Sequence, residues 1–325
     1  MASGDPNENS DQGGRVPKDI KGLLRLCAES STGSGQDSET VNFSQMDPAR
    51  KEWLEQALNN MTVSPIEEIR KARDIVKDES RDIDDRIAAV ETINEWCDQI
   101  DLAIDFHKIG GFDIFPVCLS NEEGELRWQC LDLVATMVQN NPYCQTATLE
   151  AGLLPTMLDL MDNDPDPTVK TKALYAMSCL TRDNQQALDA FIQHDGFSYV
   201  MRAMQSDVEK LKIKSAFMLS SICTDNDRCK NTLCDIGMID QLVGHLSEEH
   251  SMFHEHVMSA ILNLVRNHPR SLRECCRPEL DLVSTLQQKQ ADLKGTEEFL
   301  EEYNYTVELL GLLQSASNTE AEATR

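Results

Sequence analysis

The residues of this chain most suited to chemistry are three histidines close together, His250, His254 and His256. His250 and His254 are four residues apart, a spacing that zinc ligands use on one helical face. His256 projects about 200° around a helix from His254, and no cysteine or carboxylate completes a recognised ligand set. We interpret the three as solvent-facing histidines and expect no metal site. The sequence also has no phosphate-binding glycine loop, nucleophile elbow or kinase signature, so we predict neither an enzyme nor a bound cofactor.

A second set of candidates is defined by recurrence. In a chain of net charge −26, basic or polar residues return at fixed positions of five helical segments, beside aromatic residues at a third position. This recurrence predicts a partner-binding groove, although Lys and Arg are also good helix formers on a wet face. The second position of the segments holds Arg86, Arg127, Lys170, Lys212 and His254, the fourth holds Ala88, Gln129, Lys172, Lys214 and His256, the seventh includes Tyr175 and Phe217, and the eleventh includes Asn263.

The five segments that position these residues are 85–96, 126–137, 169–180, 211–222 and 253–264. Their apolar residues fall mainly at positions one, five, eight, nine and twelve, which is helical spacing. Positions four, seven and eleven point away from that stripe and should line an inner, concave face. Glycines punctuate the pattern at Gly111, Gly152, Gly196 and Gly237, in steps of 41, 44 and 41 residues. Three helices within such a period predict an all-α armadillo solenoid rather than the two-helix HEAT unit.

The expected organisation has five parts. Residues 1–45 form a disordered arm with a short amphipathic motif at 17–28, which either folds on contact with a partner or packs weakly on the solenoid. Residues 46–80 form N-terminal capping helices, and 81–278 form the armadillo repeats. A turn is expected at 163–167. Residues 279–314 form C-terminal capping helices, broken at Gly295, and 315–325 form a disordered tail.

Composition narrows the environment and the partners. The eleven cysteines are dispersed without a Cys-x-x-Cys pair, which indicates reduced thiols in the cytoplasm or also the nucleus. A pI near 4.5 argues against nucleic acid or an anionic membrane as a partner. No signal peptide and no apolar run of about 20 residues is present. We expect a monomer.

Four runs carry a family resemblance: GFSYVMRAMQSDVEKLKIKSAF, GMIDQLVGHL, HSMFHEHVMSAILNLV and RECCRPEL. Over residues 50–313 the chain resembles the armadillo-type nucleotide exchange factors of cytosolic heat shock protein 70 chaperones, which include the fungal Fes factors. The resemblance implies a concave face that grips the second lobe of the chaperone's ATPase domain, so that ADP leaves. The face would comprise Arg127, Gln129, Lys170, Lys172, Tyr175, Lys212, Lys214, Phe217, His256 and Asn263. It also implies that the N-terminal motif, through Ile20, Leu23, Leu24 and Leu26, helps to release polypeptide.

Two other readings of the scaffold stay open. An importin-like adaptor would bind peptides with Trp at the seventh and Asn at the eleventh position of each long helix. This chain has Asp132, Tyr175, Phe217 and Ser259 at the seventh and Thr136, Cys179, Ser221 and Asn263 at the eleventh. A plain scaffold, without effect on its partner's nucleotide, is the third reading.

Overall fold

The computed structural model describes residues 64–224 and 226–323. The arm at 1–45, its motif with Ile20, Leu23, Leu24 and Leu26, and the first part of the capping region expected at 46–80 lie outside that range. The α-helices, in chain order, are α1 (Pro65–Lys77), α2 (Ile83–Cys97), α3 (Ile100–Lys108), α4 (Ile114–Leu119), α5 (Gly124–Val138), α6 (Pro142–Glu150), α7 (Leu153–Asn163), α8 (Pro167–Thr181), α9 (Gln185–Gln193), α10 (Gly196–Met204), α11 (Glu209–Cys223), α12 (Asp227–Asp235), α13 (Met238–His245), α14 (Phe253–Val265), α15 (Pro269–Cys275), α16 (Leu282–Leu293) and α17 (Leu300–Ala323).

Three-helix repeats build this part of the chain, as predicted. After α1 and α2, repeats 1 to 5 are α3–α5, α6–α8, α9–α11, α12–α14 and α15–α17. The third helix of each repeat is its longest, and these long helices pack side by side in chain order. In α5, α8 and α14 every residue at positions one, five, eight, nine and twelve is buried. These three long helices therefore bury their stripes against their neighbours, which a single repeat cannot do.

In two repeats the turn between the first and second helices lies one residue before the glycine that was predicted to mark it. The left-handed residue between the first and second helices is Gly110, Gly152, Asp195 or Gly237, with φ of 80°, 69°, 56° and 73°. Gly111 and Gly196 follow that position and have ordinary φ values. A Cβ on either would overlap the ring of Phe106 or Phe191, five residues earlier. These two glycines therefore make room for a buried phenylalanine, whereas the left-handed turn lies one residue before them.

Side-chain caps begin the first helices of repeats 2 to 5. Asn141, Asn184 and Asn226 each accept a hydrogen bond through Oδ1 from the backbone N–H three residues later, at 3.2, 2.9 and 3.0 Å. His268 does the same through Nδ1, at 3.2 Å from the Ser271 nitrogen. Such a cap satisfies one of the unpaired N–H groups at a helix start and contributes about 1 kcal/mol.

The C-terminal region continues the repeat pattern. The helical structure is interrupted between α16 and α17 at Gly295, whose φ is +88°. Helix α17 then packs on both α14 and α16, as a further long helix of the stack. It runs to Ala323, although the sequence predicted a disordered tail from Ser315. The tail is rich in Ala and Glu, which favour helix, and Ser315 Oγ bonds back to the Gly311 carbonyl at 2.8 Å.

The cysteines in the described range are all free thiols, and most of them are buried. Burial raises the pKa of Cys97 to about 12 and the pKa of Cys229 to about 11, so both stay protonated at neutral pH. Within residues 64–224 and 226–323 the structure contains no helix that is both long and apolar enough to cross a membrane.

Candidate partner-binding surface

The residues at the second position of the long helices are mostly engaged in contacts within the protein. Arg127 is only 7% exposed. Its Nε and Nη2 donate to the Asp164 carboxylate at 2.7 and 2.8 Å, and that carboxylate raises the pKa of Arg127. Its Nη1 donates to the carbonyls of Asn121 and Glu122 at 2.7 and 2.9 Å. The Arg127 guanidinium is therefore fully engaged inside the protein.

Other members of the second row behave in the same way. Lys170 Nζ donates to the Asp162 carbonyl at 2.7 Å, and Arg86 Nε donates to the Val76 carbonyl at 3.0 Å. Lys212 lies 3.5 Å from Glu248 and 4.8 Å from the centre of the Phe253 ring. A cationic donor at the last carbonyls of a preceding helix satisfies them and interacts favourably with the helix dipole. These side chains join the start of a long helix to neighbouring segments. The expectation of an open position was wrong for the buried Arg127, whereas a part in partner binding stays a prediction for the half-exposed Lys170 and Lys212.

Of the three clustered histidines, His254 is buried rather than solvent-facing, whereas His250 is exposed and His256 is half-buried. His254 is 1% exposed, and burial, followed by the charge of Lys289, lowers its pKa. Its Nδ1 accepts from the Ser251 N–H at 2.9 Å, so its Nε2–H donates to the His245 carbonyl at 2.9 Å. His250 stacks on the His254 ring and contacts the buried Glu302 carboxylate at 2.8 Å. No three His, Cys, Asp or Glu residues in the described range are placed to hold a metal ion.

The fourth position of each long helix meets the seventh position of the preceding long helix. We call the contact between two successive long helices a seam. At the first seam Gln129 Nε2 donates to Glu91 at 2.7 Å, and at the second Lys172 Nζ donates to Asp132 at 2.6 Å. At the third Lys214 Nζ lies 5.4 Å from the centre of the Tyr175 ring. At the fourth the rings of Phe217 and His256 meet edge to face at 6.5 Å.

The third and fourth seams expose aromatic surface. Tyr175 is 37% exposed and Phe217 is 55% exposed, although large aromatic residues are usually covered in a monomer. We call Tyr175, Lys214, Phe217 and His256 the central patch. Asn263 lies at the edge of this region, but its amide already donates to Ser220 Oγ at 2.8 Å. Gln129 is buried by its contact with Glu91.

Two family models and several relatives match this chain. One family model, the SIL1/FES1/HPBP1 C-terminal domain, matches residues 102–208, and another, nucleotide exchange factor Fes1, matches residues 20–106. Hsp70-binding protein 1 of Homo sapiens is 34% identical over 310 residues, which cover 91% of this chain and 85% of that protein. The chain belongs to the SIL1/FES1/HPBP1 family. The Hsp70 nucleotide exchange factor FES1 of Coccidioides immitis is 27% identical over 172 residues, 52% of this chain and 81% of its own.

Solved structures similar to this family member support the armadillo fold. A designed armadillo repeat protein in complex with the peptide (KR)4 has a TM-score of 0.63 at 15% identity, covering 76% of this chain and all of that one. Another designed armadillo protein, YIII(Dq)4CqI, has a TM-score of 0.61 at 15% identity over 77% of this chain and all of its own. At such identities the likeness concerns the fold alone.

Proposed function

We propose that this protein is a nucleotide exchange factor for an Hsp70-type chaperone. It binds the chaperone's ATPase domain through the open side of its long helices, promotes ADP release and thereby promotes release of bound polypeptide. The names of its relatives support the activity, since they include Hsp70-binding protein 1 and Hsp70 nucleotide exchange factor FES1. The observation that carries the proposal in this chain is the central patch.

The central patch has the composition of a protein-binding hot spot. Interface hot spots are enriched in large aromatic residues and arginine that become desolvated on binding, and Phe217 already exposes more than half of its surface. The Lys214 ammonium rests over Tyr175 rather than on a carboxylate, so its charge is not neutralised by that neighbour. Lys172, by contrast, forms an ion pair with the Asp132 carboxylate, which neutralises its charge. We therefore place the centre of the contact at Phe217 and Lys214, with Lys172 at its margin.

The proposed role requires no chemical step by this protein. Binding that is stronger to the ADP-free ATPase domain shifts that domain's nucleotide equilibrium by mass action alone. We propose that it acts in the cytosol as a monomer, since its buried thiols suit a reducing compartment.

Nucleotide linkage gives the decisive experiment. If this protein weakens ADP affinity by ~100-fold, ADP must weaken its own binding by the same factor, a coupling of roughly 2.7 kcal/mol. Titration calorimetry with the purified ATPase domain, with and without ADP, measures one side of the cycle. Stopped-flow release of a fluorescent ADP analogue measures the kinetic effect. Equal affinities in the two titrations would leave a binding scaffold, and absence of binding would favour a peptide adaptor.

The N-terminal motif enters the proposal separately. We propose that Ile20, Leu23, Leu24 and Leu26 assist polypeptide release from the chaperone, because they form an apolar set within a polar stretch of sequence. Deleting residues 1–40 should leave ADP release almost unchanged and slow the release of a fluorescent peptide. Equal losses of both activities would assign the motif to binding of the ATPase domain instead.

A further inference from the structure

In repeats 2 and 4 a hydrogen-bond donor on the first helix reaches the end of that repeat's long helix, beside the second and fourth seams. At the second seam Gln145, on α6, donates through Nε2 to the carbonyls of Cys179 and Arg182 at 3.2 and 3.1 Å. Its own carbonyl oxygen accepts from Asn184 Nδ2 at 2.9 Å. At the fourth seam Lys230, on α12, donates through Nζ to the Arg266 carbonyl at 2.6 Å. Each donor satisfies carbonyls at the end of a helix, where no further turn exists to bond them.

The third seam has an aliphatic residue at the equivalent position. Leu188 is four residues after the cap Asn184, as Gln145 is after Asn141 and Lys230 is after Asn226. A leucine cannot donate to the end of α11, and a cleft of about 330 Å³ opens there. Its lining includes Ser178, Thr181, Asn184, Leu188, Ser221 and Thr224. Ala103 occupies this position at the first seam, but it is small and fully buried, so α3 can approach closely there.

Packing along the third seam is correspondingly uneven. Helices α8 and α11 pack less extensively than α5 with α8 or α11 with α14. Near the start of α8, however, a two-point ion pair links the two repeats. Arg202 on α10 grips the Asp162 carboxylate on α7 with Nε and Nη2, at 3.0 and 2.8 Å. The seam is thus fastened at one end of its long helices and open at the other.

We propose that the third seam is a hinge of this solenoid, with its pivot at the Arg202–Asp162 pair and its opening at the Leu188 cleft. A 15-residue helix is about 22 Å long, so a movement of about 3 Å at the open end rotates α11 against α8 by about 8°. Tyr175 lies on α8, and Lys214 and Phe217 lie on α11. Bending at the hinge therefore changes the spacing between the two halves of the central patch.

Hydrogen–deuterium exchange of the free, full-length protein tests the hinge without any partner. The last turns of four long helices serve as internal standards for one another, at residues 131–138, 174–181, 216–223 and 258–265. We expect the amides of 216–223 to exchange at least tenfold faster than those of 174–181 and 258–265, because opening of the seam frees the end of α11. Equal or slower exchange at 216–223 would overturn the proposal, whatever the chaperone assays show.

Installing the missing donor tests its cause. Leu188→Gln copies Gln145 and should slow exchange at 216–223 severalfold while leaving 258–265 unchanged. Leu188→Met keeps an apolar side chain and serves as the matched control, which should not slow exchange. If Leu188→Gln folds poorly, Leu188→Lys offers the ammonium found at Lys230. A folded variant with a donor and unchanged exchange would show that the donor does not control the seam, and the wild-type comparison still decides whether the hinge exists.

Discussion

The first two seams and the next two use the same pair of helix positions in opposite ways. At the first and second, Gln129 and Lys172 are held by the carboxylates of Glu91 and Asp132. At the third and fourth, Lys214 and His256 lie against Tyr175 and Phe217. A carboxylate satisfies the hydrogen-bond donor it contacts and neutralises its charge if it has one. An aromatic ring leaves the charge and the apolar surface available to a partner. The residue that decides the role of a lysine therefore lies about 40 positions earlier in the chain.

The largest effect should be a loss of stability on removal of one partner of a buried ion pair. Asp164→Ala leaves the buried Arg127 guanidinium without its carboxylate, and such a loss costs about 3–5 kcal/mol. Asp162→Ala is the matched control, because it removes the more exposed pair with Arg202 and should cost about 1 kcal/mol or less. Urea denaturation measures both values. Similar losses would mean that burial does not separate the two pairs.

The next effect concerns binding rather than stability. Phe217→Ala should weaken binding to the ATPase domain by at least about 30-fold, about 2 kcal/mol, as hot-spot truncations do. Its melting temperature should hardly change, because the side chain is largely exposed. Tyr143→Ala is the control, since Tyr143 is 42% exposed but lies on the first helix of repeat 2. Calorimetric titration measures the affinities, and wild-type binding by Phe217→Ala would remove the aromatic residues from the contact.

The two lysines of the fourth position sharpen the comparison further. Lys214→Ala should weaken binding about tenfold, about 1.4 kcal/mol, and reduce its salt dependence. Lys172→Ala should weaken it less than about threefold, because Asp132 already neutralises that ammonium. Titrations at two salt concentrations separate the outcomes. The comparison between seams fails if both substitutions have the same effect.

The last effect is a pH dependence of stability that comes from two histidines with lowered pKa values. Burial lowers the pKa of His254 and of His268. At a pH just below about 6.5, the unfolded chain therefore binds more protons than the folded chain. Stability is therefore retained above the unfolded pKa of about 6.5 and declines as the pH falls below it, by at most about 1.4 kcal/mol per pH unit for each histidine. Urea denaturation at pH 7.5 and 5.5 measures the decline. His254→Asn should reduce it, whereas His256→Gln should preserve it.

The sequence predicted the architecture because the information for it is periodic. Apolar residues at five positions of each long helix determine which face is buried, and the structure follows them at α5, α8 and α14. The turn expected at 163–167 also lies between α7 and α8.

The errors came from contacts between residues that are distant in sequence. Gly111 and Gly196 resembled turn glycines because the overlap with Phe106 and Phe191 is visible only in three dimensions. Arg127 resembled an exposed charge because its partner Asp164 is 37 residues away. Side-chain caps such as Asn141 and Asn184 were a local signal that could have fixed the repeat boundaries.

Two features of the first helices recur only in every second repeat. One is the buried phenylalanine that leaves no room for a Cβ at Gly111 and Gly196. Phe106 and Phe191 are 85 residues apart, and the donors Gln145 and Lys230 are also 85 apart. Repeats 1 and 3 thus share the phenylalanine–glycine contact, and repeats 2 and 4 share the side-chain donor. Removing one repeat would join two units of the same kind, whereas removing two neighbours would preserve the alternation. The natural module for shortening, lengthening or recombining this protein is therefore a pair of repeats.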